Sequence, residues 1–130
     1  MFVNTMVVVE VLDPKVAGYK PIATRLAKRL MRTLNKDNFY LEIYIVGKKQ
    51  MRKNVLAFPA ATNFPRPDLK KRPLGEIYLN PTYIKEHEEN FDYMLIHGFL
   101  HLLGYDHIKK SDRIAMEKKE RTLLFQMTNS

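Results

Sequence analysis

Residues 91–107, FDYMLIHGFLHLLGYDH, decide how this chain is read. Across 91–103 the residues Met94, Leu95, Ile96, Phe99, Leu100, Leu102 and Leu103 point to every side of a helix, which describes a helix packed inside a core. Gly104 follows as a left-handed stop. Two histidines interrupt the apolar pattern. Residues four apart on a helix share one face at about 6 Å, so the imidazoles of His97 and His101 can converge on a single ion. The sharp turn after Gly104 lets His107 come back as a third ligand. Three neutral imidazoles hold zinc at about 2.0–2.1 Å and leave one tetrahedral position for chemistry, the pattern of a catalytic rather than a structural site. A lone histidine on an apolar face is most often a satisfied core residue. Here three of the four histidines fall within eleven residues, and burying them without partners costs free energy that a metal offsets. The expectation is one zinc ion per chain on His97, His101 and His107. His87, in the charged run EHEEN, reads as an ordinary surface histidine.

The spacing H-x3-H-x2-G-x2-H is shared with metzincin proteases, whose first histidine is followed by a glutamate general base. Gly98 stands there in this chain, so the usual peptide-hydrolysis mechanism lacks its base.

Outward from this segment, strand and helix signals are mixed rather than strictly alternating. Residues 6–12 form a Val-rich run read as a buried strand, with Asp13-Pro14 and Gly18 marking the loop after it. Pro21 suits the first turn of a helix in which Ile22, Leu26, Leu30 and Leu34, flanked by Ala23 and Ala27, make an apolar stripe. The opposite face carries Arg25, Lys28, Arg29, Arg32 and Lys36, either a phosphate-contacting surface or a solvated helix face. Phe39, Leu41, Ile43 and Ile45 alternate with Tyr40, Glu42 and Tyr44, the period of a half-buried strand ended by Gly47. Residues 55–58 make a short strand stopped by Pro59. Residues 60–73, with three prolines and four cations, read as an irregular surface loop, and 75–79 as a further strand. Asn80-Pro81 is a cap followed by a first-turn proline, opening a short helix that ends near Glu88. Ser111 can cap a last helix with Asp112 in its first turn and Ile114, Met116, Leu123 and Met127 on its buried side. The predicted fold is α+β: a small mixed sheet of about four strands packed with about four to five helices, the zinc site lying on a buried helix and the turn after it.

A chain of 130 residues with 45% apolar residues fits a single domain, 1–130. Its apolar runs fall short of the ~18 residues of a membrane span. The opening MFVNTMVVVEVLD has neither a basic leader nor a small-residue cleavage site, so it reads as a strand rather than a signal peptide, and a cytoplasmic location is expected. Cysteine is absent, which excludes disulfides and thiolate sites and leaves His, Asp and Glu as the strong ligands. The formal charge of +8, from 22 Lys and Arg against 14 Asp and Glu, attracts polyanions, with RNA, DNA and anionic lipid as candidates.

HGFLHLLGYDH resembles the H-G-x-L-H-L-x-G-Y-D-H signature of the YbeY family, rRNA maturation factors regarded as single-strand-specific metallo-endoribonucleases. Val55-Leu56-Ala57-Phe58-Pro59 is similar to that family's V-L-S-F-P strand, Leu74-Gly75-Glu76-Ile77 to its L-G-D-I strand, and Met116 with Glu120 to the M-x3-E pattern of its last helix. The resemblance implies an α+β fold, zinc on the three histidines, and a role in 16S rRNA 3′-end processing and ribosome quality control, with single-stranded RNA as partner and no membrane. It also implies an arginine several residues ahead of the V-L-S-F-P strand, where Gly47 stands here. Arg52, or alternatively Lys48 or Lys49, is then expected to stabilise transition-state charge. Ala57 and Lys53 replace the family's usual Ser and Thr. Asp106 has two candidate roles: accepting a proton from the metal-bound water, or orienting a ligand histidine. Two rival functions are a non-catalytic, zinc-stabilised rRNA-binding assembly factor and a metal-dependent hydrolase of another substrate.

Overall fold

The computed structural model describes residues 5–61 and 71–128. Alternation in the sequence becomes a sheet with one covered face. In β2 (Phe39–Ile45), Leu41, Ile43 and Ile45 are fully buried while Tyr40, Glu42 and Tyr44 are half-exposed, as the two-residue period of a strand requires. β1 (Met6–Val11) runs parallel to it, as does β4 (Arg72–Leu79) on the other side, and β3 (Val55–Pro59) pairs antiparallel with β4. The strand order β1-β2-β4-β3 makes a four-stranded mixed sheet with β1 and β3 at the edges.

Two expectations need correcting here. β1 is half-buried: Val9 faces the core, whereas Met6 and Val8 are 48% and 39% exposed, because helices cover only one face of the sheet. The strand expected at 75–79 begins at Arg72 and takes Pro73 into the ladder, at the irregularity between Tyr40 and Leu41 where the register of β2 and β4 shifts. A locally broken ladder is where a residue without an N–H is tolerated. Residues 62–70 of the expected surface loop lie outside the described residues.

After a 3-10 turn at Pro14–Val16, α1 (Tyr19–Thr33) crosses from β1 to β2 with Pro21 in its first turn. Its buried stripe is Ala23, Leu26, Ala27, Leu30 and Met31, rotated from the expected one, and Ile22 is exposed. The cationic face is partly spoken for. Arg29 donates to the carbonyls of Met127 (2.7 Å) and Gln126 (3.5 Å), and the Lys36 ammonium lies 5.4 Å from the Phe39 ring centroid.

α2 (Pro81–Glu86) starts at the expected cap, where Asn80 Oδ1 accepts the Tyr83 N–H. α3 (Phe91–Leu102) packs against β3, β4 and α1, and buries Leu95, Ile96, Phe99 and Leu100 completely. Gly98 makes that packing close: a Cβ there would stand 3.1 Å from methyls of both Ile77 and Val55. α4 (Lys110–Thr128) lies across α3. It begins at Lys110, so Ser111 sits inside it, and its buried stripe is Met116, Glu120, Leu123 and Met127, while Ile114 is 55% exposed. Among the described residues no helix is long and apolar enough to cross a membrane.

Candidate metal centre

The site begins with the ends of α3. Asn90 Oδ1 accepts the Tyr93 N–H at 2.9 Å and opens the helix. At the other end the Tyr105 N–H bonds back to the Leu100 carbonyl (3.0 Å) and the Gly104 N–H to that of His101 (3.1 Å), a Schellman motif. It requires the left-handed conformation that Gly104 adopts at φ 96°. The motif reverses the chain immediately after the helix and returns His107 toward the face carrying His97 and His101.

The three imidazoles meet there. His101 Nε2 and His97 Nε2 are 3.1 Å apart, and candidate ligand atoms of all three histidines lie within 4.8 Å of one another. Two nitrogens bound to zinc at about 2.0–2.1 Å with a tetrahedral angle would be separated by about 3.4 Å, so the closest pair already stands near ligand spacing. Burial, and then the neighbouring His97 and His107, push the His101 imidazolium below its ordinary range, favouring the neutral form a metal needs. The three residues fit a metal ion. His87 takes no part: it is exposed, stacked on Tyr83 at 3.7 Å, with Nδ1 2.9 Å from the Tyr83 carbonyl oxygen.

Behind His97 lies a partner whose role sequence reasoning missed. Glu120, 2% exposed, places Oε2 2.5 Å from His97 Nδ1 and accepts the Tyr93 hydroxyl on Oε1 at 3.1 Å. With Nδ1–H donating to the carboxylate, the His97 lone pair is fixed on Nε2, toward the other two histidines. Tyr93, pushed up to about 12 by burial and then by Glu120, remains a donor throughout the neutral range. The M-x3-E spacing marked Glu120 in the sequence, but its use depends on α4 crossing α3.

These groups line a 490 Å³ cavity closed on one side by residues 54–57 and on the other by α4, which contributes Arg113, Met116, Glu117 and Glu120. That volume lies within the range of ligand sites, about 300–1,000 Å³. Gly98 is part of the same wall. The position that holds the general base in metzincins is thus a helix-to-sheet contact in this protein.

The other site candidates stand outside the cavity lining. Arg52 is exposed on the segment before β3, and Lys48 pairs with Glu86 at 2.5 Å. Asp106 is exposed, and its Oδ1 accepts the Ile108 N–H at 2.7 Å, shaping the loop that carries His107. Gly47 is buried, and a Cβ there would collide with Asp13 Oδ2, so a side chain at this position would require the Asp13 carboxylate to swing aside.

Comparison with known proteins agrees with this geometry. The family described as Endoribonuclease YbeY matches residues 19–128. Proteins named Endoribonuclease YbeY are similar to the chain in Finegoldia magna (30% identity, covering 73% of each chain) and in Ehrlichia canis (32%, covering 95% of this chain and 78% of that one). A third, in Dichelobacter nodosus, is 38% identical over 57% of this chain and 51% of its own length. The fold also matches the solution structure of a Thermotoga maritima protein at a TM-score of 0.55 and 21% identity, over 94% of this chain and 89% of that one.

Proposed function

The chain belongs to the YbeY endoribonuclease family, and from that premise we propose that residues 1–130 act as a single zinc-dependent domain that cleaves single-stranded RNA in the cytoplasm. Its substrate is rRNA, in 16S 3′-end maturation and in the quality control of ribosomes. The observation that carries the reading is the convergence of His97, His101 and His107 in the lining of a cavity, with Glu120 behind His97. A formal charge of +8 favours a polyanionic substrate.

His97, His101 and His107 would hold the zinc ion. Once bound, it supplies Lewis acidity toward a phosphoryl oxygen and lowers the pKa of water toward ~7. Glu120 holds the His97 ring in the ligating tautomer, and Tyr93 holds Glu120. Asp106, on the loop of His107, orients that loop by accepting the Ile108 N–H on Oδ1 and so positions the ligand histidine beside it. Arg52 meets the RNA on the approach beside β3, where its guanidinium offsets phosphate charge.

The test is cleavage of matched single- and double-stranded RNAs by metal-loaded protein, with removal by chelator and restoration by zinc. Metal-dependent cleavage confined to single strands is expected. Tight rRNA binding without any metal-dependent cleavage would replace this reading with that of a zinc-stabilised assembly factor.

A further inference from the structure

A phosphodiester brings negative charge into the cavity, and the charge on its non-bridging oxygens grows as the attacking oxygen adds to phosphorus toward a phosphorane-like transition state. The bond to the leaving oxygen then breaks, and that oxygen takes the electron pair. Preorganised donors aimed at that charge are commonly the largest single contribution to catalysis. Among the described residues lining the cavity, one carries a permanent positive charge: Arg113. Its side chain has no hydrogen-bond or ion-pair partner among the described residues, although Glu117 stands one turn further along the helix.

The position of Arg113 follows from the periodicity of α4. The stripe Met116, Glu120, Leu123 and Met127 faces the core, and stepping back three residues from Met116 gives Arg113 on the same face. The register that drives Glu120 against His97 therefore carries Arg113 over the cavity about two turns earlier, where the helix has run past the end of the core. Several other cations are occupied elsewhere. Lys48 pairs with Glu86, Arg29 holds the last carbonyls of α4, and Lys71 Nζ donates to the Asp37 carbonyl at 2.9 Å.

We propose that Arg113 is the phosphate-binding residue of this site, its planar guanidinium gripping two non-bridging oxygens of the RNA phosphate held at the three histidines. The proposal rests on the nuclease reading above and adds a residue to it. A two-pronged guanidinium suits a phosphate better than a point-charge ammonium does, so lysine at this position should substitute only in part.

The experiment compares wild type with Arg113→Ala, Arg113→Lys and Lys118→Ala, the last removing the same charge from an exposed position of α4 outside the cavity. All four proteins are zinc-loaded, and their metal content is measured first. Turnover of a single-stranded RNA should fall about 100-fold in Arg113→Ala, recover partly in Arg113→Lys, and stay at the wild-type level in Lys118→Ala, with zinc equal throughout. Inorganic phosphate and a short single-stranded oligonucleotide are titrated calorimetrically in parallel. Both should bind at least tenfold more weakly to Arg113→Ala than to Lys118→Ala. Cleavage by Arg113→Ala within a factor of three of wild type overturns the proposal and leaves the nuclease reading standing. Should the wild type show no metal-dependent cleavage, the nuclease reading falls. The binding comparison then decides Arg113 by itself, and equal affinities in the two alanine variants reject it.

Discussion

The protein joins a tyrosine hydroxyl to a glutamate in two settings. On the uncovered face of the sheet, Tyr44 donates to Glu42 at 2.8 Å and Tyr78 to Glu76 at 3.1 Å, each pair two residues apart along one strand. The strands are in register, so Glu42 lies opposite Glu76 and the two tyrosine rings stack at 4.8 Å. Like charges directly opposite are unfavourable, and each hydroxyl offsets part of that cost. Tyr44 is raised above its ordinary range by the hydrogen bond to Glu42 and then by burial, Tyr78 by burial and then by Glu76. Between the helices, Tyr93 donates to Glu120, 27 residues away, at 3.1 Å, and the other carboxylate oxygen holds His97. One chemical pair thus does two jobs. On the sheet it is local and half-exposed, with water to replace either partner. In the core it joins two helices, and removing the carboxylate strands two donors.

The contrast is broken or sharpened first at the histidines, where the largest effect is expected. Alanine at His97, His101 or His107 should leave well under ~0.2 zinc per chain, since two imidazoles cannot keep a site built for three, whereas His87→Ala should retain about one. Metal analysis of the purified variants reads this directly. If all four behave alike, the buried pair serves no ion and the contrast collapses to one of burial.

Glu120→Ala comes next. Removing the acceptor leaves the His97 and Tyr93 donors unsatisfied, at a cost of about 1–3 kcal/mol in stability, and should weaken zinc about 10- to 100-fold. Glu120→Gln, which can still accept from one of them, should fall between alanine and wild type. Urea unfolding of the zinc-free proteins separates the stability effect from the metal effect. An unchanged zinc affinity in Glu120→Ala would reduce the carboxylate to a packing group.

Glu76→Ala should have the smallest effect, within about 0.5 kcal/mol of wild type as for most surface changes, with zinc unaltered. Relieving Glu42 of a like-charged neighbour can even stabilise the sheet. A loss equal to that of Glu120→Ala would show that the open face of the sheet is as structurally committed as the core.

The sequence was most readable where one local rule operates. The Asn80-Pro81 cap, the Gly104 stop and the strand alternation of 39–45 each depend on neighbouring residues, and each stands where expected. The convergence of His97, His101 and His107 was legible for the same reason, since a helical repeat and one turn bring them together. What failed to show needed a second element. The Val-rich β1 run looks buried on both faces, yet helices cover only one side of this sheet. Ile22 and Ile114 fit apolar stripes by spacing alone, yet both stand exposed, while Ala23 and Met116, expected in the same stripes, do face inward. Glu120 and Arg113 acquire their places only when α4 lies on α3, and no spacing within α4 announces which helix it will meet.

The lateness of α4 in the chain also bears on how the protein comes into being. Synthesis proceeds from the N-terminus and structure forms behind it, so β1 to β4 and the histidine helix can assemble before α4 is made. Until then His97 lacks its acceptor and the cavity lacks one wall. The contact from Arg29 to Met127 spans 98 residues, and closing so long a loop belongs among the slower events of folding. A nascent chain is therefore without a finished centre until α4 has been made and has packed against α3.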